Sequence, residues 1–294
     1  MAKQTPDMDS LLELHNVSLV YRAMPALCGL QWSIEPGQQW ACLGPNGSGK
    51  TSLARIISRQ ISHFSGEIKR SVPLEKNGVA YVCFEQAKAL CERDKKRDDS
   101  EFRADASDPG TPVQSLILGG SEPDDNFHRW TTRLQMNHFL HRGLRFISTG
   151  EMRKTLLVTA ILSEPALLIL DSPLDGLDHN SQEKMRTIIE ELLLSNLTIL
   201  MLCRQMEDVP TGVTHVLVLN QGEILACDTR DRIFADRSVQ ALMSPPTARL
   251  EELPPTAARP YALTAGKPLL ELHDVTVNYG DLAVLRGVNW IFER

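Results

Sequence analysis

At 294 residues the chain exceeds one average domain and can bury a sizeable core, as one large domain or two smaller ones. Its composition, 42% hydrophobic and 23% charged, is that of an ordinary globular protein. A net charge of -6 excludes a general attraction to nucleic acid or to an anionic membrane surface. The opening Met1 to Asp7 lacks an apolar leader core and no run of 18 apolar residues follows, which predicts a soluble, cytoplasmic chain. Six cysteines (Cys28, Cys42, Cys83, Cys91, Cys203, Cys227) form no C-x-x-C pair and predict reduced thiols. His138 and His141 have no third ligand spaced with them, which argues against a metal site there.

Leu11 to Ile34 alternates like a strand pair and ends in a turn at Glu35-Pro36-Gly37. A short apolar strand, Gln39 to Leu43, then enters Gly44-Pro45-Asn46-Gly47-Ser48-Gly49-Lys50-Thr51, and a helical pattern leaves it from Thr51 through Ser52 to Ile57. This is a complete phosphate-binding loop. Its glycines let backbone amides close around an anion at a helix N-terminus, Lys50 reaches outer phosphates, and the Thr51 hydroxyl ligates magnesium. The loop predicts ATP or GTP as ligand.

Val79 to Phe84 reads as a buried strand, and the charged run 91–112 as a solvated or disordered insertion. A helical stretch is expected over about 113–143. Ser148-Thr149-Gly150-Glu151 has the form of a capping box before a long helix, and such an N-terminus also suits a phosphate presented by a partner domain. Ala166 to Leu170 is a continuous apolar strand ending in Asp171, a carboxylate suited to orienting magnesium, or to capping the strand end. A helix (180–195), a strand (198–203) and a hairpin at Asn220 to Gly222 complete an α/β alternation with a largely parallel sheet.

Residues 244–268 hold six prolines and read as a linker. Beyond it, Leu269 to Glu293 repeats Leu11 to Glu35 at a constant offset of 258, with 11 of 25 aligned positions identical, among them Tyr21 with Tyr279, Gly29 with Gly287 and Trp32 with Trp290. The expectation is a second copy of the same domain of which only the first strands are present, and hence a tandem protein of about twice this length.

From these motifs the sequence resembles the ABC ATPase family over about residues 11–242. Ile147 to Glu151 looks like its signature motif, Leu167 to Asp171 like its Walker B strand, Leu177-Asp178 like its D-loop, Gln86 like its Q-loop glutamine, and Tyr21 like the aromatic that stacks on adenine. The resemblance implies an α/β P-loop NTPase with a mixed sheet core, N-terminal antiparallel strands and a small helical subdomain at about 113–148. It implies a cassette over 1–242, a linker over 243–268 and a second cassette opening at 269–294. It also implies ATP and Mg2+ as cofactors, with Thr51, Asp171 and Gln86 as metal ligands and Ser148 and Gly150 contacting nucleotide across an interface.

Two departures stand out. The family places a glutamate after the Walker B aspartate, where this chain has Ser172, and Arg204 stands at the switch histidine. Loss of a positioned base costs ~10²- to 10⁴-fold in rate, so binding with slow hydrolysis is expected. Arg204 cannot shuttle a proton but can hold a γ-phosphate. Family sites form head to tail between two cassettes, so the implied partner is a second cassette, as a homodimer or a separate chain, with membrane permease subunits beyond it and no nucleic acid. The motifs at 148–157 and 167–178 are similar to a tandem-cassette subgroup associated with molybdate transport, which places the chain at the inner face of the membrane. The alternatives are a soluble ribosome-associated tandem ATPase and a non-hydrolysing nucleotide switch.

Overall fold

The alternation that opens the chain becomes an antiparallel hairpin of β1 (Leu12–Tyr21) and β2 (Met24–Ile34), with Leu14 opposite Trp32 and Tyr21 opposite Met24. The structure, a computed structural model, describes residues 10–96, 109–244, 268–279 and 282–293. The two residues that close this hairpin, Arg22 and Ala23, both have positive φ (45° and 69°), the geometry that matches strand twist in a two-residue turn. β4 (Ser65–Arg70) adds antiparallel to the other edge of β1, giving a three-stranded sheet in the order β2-β1-β4.

The larger sheet has six strands in the order β5-β6-β7-β3-β8-β9. β5 (Val79–Cys83), β6 (Leu167–Asp171), β7 (Thr198–Cys203), β3 (Trp40–Leu43) and β8 (His215–Asn220) run parallel, and β9 (Glu223–Thr229) returns antiparallel to β8. Their near-continuous apolar sequences follow from burial on both faces. Along β6, Leu167 and Ile169 join one core while Leu168 and Leu170 join the other; along β3, Trp40 and Cys42 separate in the same way from Ala41 and Leu43. One core lies under the three-stranded sheet with α1 (Lys50–Ile57), and the other is covered by α6 (Thr149–Leu162) and α7 (His179–Leu193). Each fully buried Leu or Ile contributes roughly 1.5–3 kcal/mol. The sheet is therefore the rigid element on which everything at its strand ends is mounted.

Two expectations need correction. Residues 91–95 are not an irregular insertion; they extend α3 (Phe84–Lys95), which exposes Glu92, Arg93 and Lys95 as a solvated run should but buries Asp94, only 4% exposed and accepting the Thr111 amide at 2.8 Å. A buried acceptor of this kind is invisible in a mixed-charge run. Residues 97–108, the rest of that run, lie outside the described residues. Nor is 113–143 one helical stretch. It holds α4 (Val113–Leu118) and α5 (Asp125–Arg133), separated by Gly119 and Gly120, both at positive φ, and by Pro123. Short helices α2 (Val72–Asn77), α8 (Arg230–Ala235) and α9 (Arg237–Met243) complete this unit.

The second unit, taken by itself, is the hairpin of β10 (Pro268–Tyr279) and β11 (Leu282–Glu293). Its register repeats that of β1 and β2 pair for pair at the offset of 258: Leu272 faces Trp290, Val275 faces Val288 and Val277 faces Leu285. The details repeat too. Gly29 and Gly287 have φ of 58° and 57°, and their amides donate to the hydroxyls of Ser18 and Thr276. An isolated two-stranded hairpin is marginal in water, and among the described residues of this unit no further element covers its apolar face. The proline-rich stretch 245–267 lies outside the described residues.

Candidate functional site

The phosphate loop leaves the C-terminal end of β3 and delivers α1 through Gly49, which caps the helix at φ 104°. A Cβ at Gly44 would collide with the Leu219 carbonyl, and one at Gly49 would lie 2.7 Å from the Ala26 carbonyl; at Gly47 nothing stands within 4 Å. The loop is thus wedged between β2 and the β8–β9 turn, where Gly222 N donates to Ser48 O at 3.1 Å. Ser48 is buried. The Lys50 ammonium donates to Gly44 O (2.6 Å), Pro45 O (3.0 Å) and Ser48 Oγ (3.4 Å), and burial holds its pKa below the usual lysine value.

The loop forms one wall of an open cleft of about 360 Å³ lined by Tyr21, Asn46 to Ser52, Asp171, Ser172, Asp175 and Arg204. At its floor the Thr51 hydroxyl donates to Asp171 Oδ2 at 3.0 Å. Two hard oxygen donors, an alcohol and a carboxylate, suit Mg2+. The same Asp171 oxygen accepts the Tyr81 hydroxyl at 2.8 Å, and Ser172 Oγ lies 3.3 Å from Asp171 Oδ1. Burial raises the pKa of the Tyr81 phenol above its usual value, which favours the protonated hydroxyl that donates to Asp171. Sequence reasoning missed Tyr81. Its signal was the pairing of β5 with β6, which sets Tyr81 two residues before the partner of Asp171.

Ser172 sits at φ 50° and starts a turn closed by Asp175 N to Ser172 O at 3.2 Å. Arg153, buried on α6, locks that turn: its guanidinium donates to Pro173 O at 2.6 Å and to Asp175 O. Arg204, just past β7, donates to Asp175 Oδ1 at 2.8 Å. Neither Arg153 nor Asp175 was singled out from the sequence, because their partners are backbone carbonyls and a residue 29 positions away.

The remaining expected residues separate into those the structure gathers and those it does not. Tyr21, at the tip of the first hairpin, lines the cleft. Ser148 and Gly150 lie at the N-terminus of α6, outside the lining of the cleft. There the capping box is formed in both directions: Glu151 N donates to Ser148 Oγ (3.2 Å) and Ser148 N to Glu151 Oε2 (2.7 Å). Asp178 caps α7, accepting Ser181 N at 3.0 Å, and this hydrogen bonding holds its carboxyl below the usual range. Gln86 falls in the first turn of α3, and its side chain lies outside the described residues.

The model of the family described as ABC transporter matches residues 27–175, just over half of the chain. The chain belongs to the ABC transporter family. As an ABC cassette it has ATP and Mg2+ as its ligands, and the loop, Lys50, Thr51 and Asp171 are a donor set that fits them. Over 265 residues it is 27% identical to the ABC transporter ATP-binding protein ModF of Escherichia coli K12, covering 88% of this chain and 53% of ModF; the chain thus spans about half the length of that relative. It is 29% identical over 215 residues to the zinc import ATP-binding protein ZnuC of Yersinia pestis bv. Antiqua, covering 73% of this chain and 78% of ZnuC. The cassette fold is shared with the ADP conformation of MJ1267, an ATP-binding cassette of an ABC transporter (TM-score 0.61, 18% identity, 79% of this chain and 98% of that one). Among the described residues no helix is long and apolar enough to cross a membrane.

Proposed function

We propose that this cassette binds Mg-ATP in the cleft between the phosphate loop and Asp171, and that nucleotide-driven association with a second cassette energises or regulates an import system at the inner face of the cytoplasmic membrane. The observation that carries the reading is the convergence of Lys50, Thr51 and Asp171 on one cleft. The backbone amides of Gly47 to Lys50 and the Lys50 ammonium hold the phosphates, and Tyr21 stacks on the base. Thr51 and Asp171, with Gln86 as the family resemblance implies, would hold Mg2+, which neutralises phosphate charge when bound. Ser148 and Gly150 would serve the partner's nucleotide, with Asp178 facing the same interface; that Ser148 and Gly150 lie outside this chain's own cleft supports a site completed in trans.

Molybdate is the proposed cargo, supported by the likeness to ModF across most of the chain and by the motifs at 148–157 and 167–178. The hairpin at 268–293, which repeats the register of the first, supports a tandem plan in which the second cassette is the partner. Binding of a fluorescent ATP analogue, lost in Lys50→Ala, is the expected result; equal binding by that variant would sink the reading. Cargo is tested by cellular molybdenum and zinc contents after gene deletion. A fall in molybdenum alone supports the proposal, and a fall in zinc alone replaces it with zinc.

A nucleotide switch without turnover is a second reading, favoured by one observation: Ser172 offers no carboxylate where the family glutamate stands.

A further inference from the structure

We propose that Asp175 is the carboxylate that activates the attacking water in this cassette, taking over the task that Ser172 cannot perform; the inference rests on the ATP-binding reading above.

The argument starts with the backbone. The left-handed conformation of Ser172 reverses the chain, and the Asp175 N to Ser172 O bond closes a turn that brings Asp175 back beside the strand end. Asp175 consequently lines the phosphate-loop cleft together with Lys50, Thr51, Asp171 and Ser172, and also a second cleft that opens on Thr51, Tyr81 and Asp171. Among the described residues, the carboxylates that line these clefts are Asp171 and Asp175. Asp171 has both oxygens committed, Oδ2 to Thr51 and Tyr81 and Oδ1 to Ser172. Among the described residues lining the clefts, Asp175 is the acid that remains for proton transfer.

A general base must be positioned as well as near, and Asp175 is fixed twice. Arg153 holds its carbonyl and that of Pro173 from the interior, and Arg204 holds its Oδ1 from the cleft side. Its side chain is 34% exposed, so water reaches it. The Arg204 guanidinium carries only hydrogen-bond donors and serves to orient the carboxylate. At the position that the resemblance assigns to the switch histidine, Arg204 acts as a donor that orients Asp175, whose carboxylate lies three residues further along the turn than the family glutamate.

In the step assigned to it, a water oxygen attacks the γ-phosphorus of ATP while its proton passes to Asp175 Oδ2. The bond from the γ-phosphorus to the bridging oxygen breaks, and its electron pair leaves on the β-phosphate of ADP. Inorganic phosphate and ADP depart, and Asp175 returns the proton to solvent.

The test measures ATP-analogue binding and phosphate release at saturating Mg-ATP on the full chain, as wild type, Lys50→Ala, Asp175→Asn and Asp175→Glu. The expected result is analogue affinity within about twofold of wild type for both Asp175 variants, turnover lowered about 10²-fold in Asp175→Asn, and turnover retained within about tenfold in Asp175→Glu. Retained binding shows that the variants are folded. Undiminished turnover in Asp175→Asn overturns the proposal, as does a wild type that binds the analogue but releases phosphate no faster than Lys50→Ala. A wild type that fails to bind the analogue defeats the nucleotide-site reading itself, before any rate is compared.

Discussion

The Arg153 guanidinium donates from Nη1 to the Pro173 carbonyl at 2.6 Å, so the helix capped by Ser148 and the loop that follows Asp171 are held as one piece. Its second arm, to the Asp175 carbonyl, makes the grip bidentate. Substitution of Arg153 by Met keeps most of the apolar packing and leaves two carbonyls without these donors. The expected loss is about 1–3 kcal/mol, seen as a Tm lowered by several degrees. An unchanged melting curve would show that the clamp carries no stability.

Tyr81 and Thr51 donate to the same oxygen of Asp171. Removing one of two donors in Tyr81→Phe lets that carboxylate rotate away from the Thr51 hydroxyl. A hydrogen bond to a charged group is worth about 1.5–3 kcal/mol, so the Mg2+ concentration needed for half-maximal nucleotide binding should rise about tenfold or more. Binding measured in EDTA should not change. Equal Mg2+ requirements in the two proteins would remove Tyr81 from the site.

Ser172→Glu restores a carboxylate directly after Asp171. Turnover by the assembled dimer should rise. In an Asp175→Asn background the same change should recover most of the lost rate, since one positioned base suffices. Phosphate release that stays at the level of Asp175→Asn would mean that position 172 cannot reach the water.

The capping box at Ser148 is fully formed, so Ser148→Ala should cost ~1 kcal/mol through the orphaned Glu151 amide. Thermal unfolding measures this, and Ser148→Thr serves as the conservative comparison.

Burial pushes the Cys42 thiol up to about 12 from 9.0. Above pH 9 the unfolded chain releases this proton while the folded chain keeps it, so the thiol's contribution to stability is complete below pH 9 and declines as pH rises toward 12. Lys50 acts in the opposite sense near pH 10, because its lowered value makes the folded chain hold fewer protons there. Urea unfolding of wild type and Cys42→Ala at pH 8 and pH 10 separates the two, and the stability difference between the proteins should shrink at pH 10. A constant difference would contradict the burial of that thiol.

What the sequence by itself determined is what repeats locally or is spelled by consecutive residues. The phosphate loop, the continuous apolar strands, the capping box at Ser148 and the paired hairpins at 12–34 and 268–293 were all legible, because strand period, glycine placement and cap chemistry act over a few residues. The chain reversal at Ser172, the clamp by Arg153, the Tyr81 hydrogen bond to Asp171 and the Arg204 bond to Asp175 were decided only by the tertiary structure. Each joins residues on different elements, brought together by the parallel order β5-β6-β7-β3, and no local pattern records which strand end will lie beside which. The charged run at 91–96 shows the same limit from the other side: composition marks it as solvated, and only the packing of α3 shows that Asp94 is buried against the Thr111 amide.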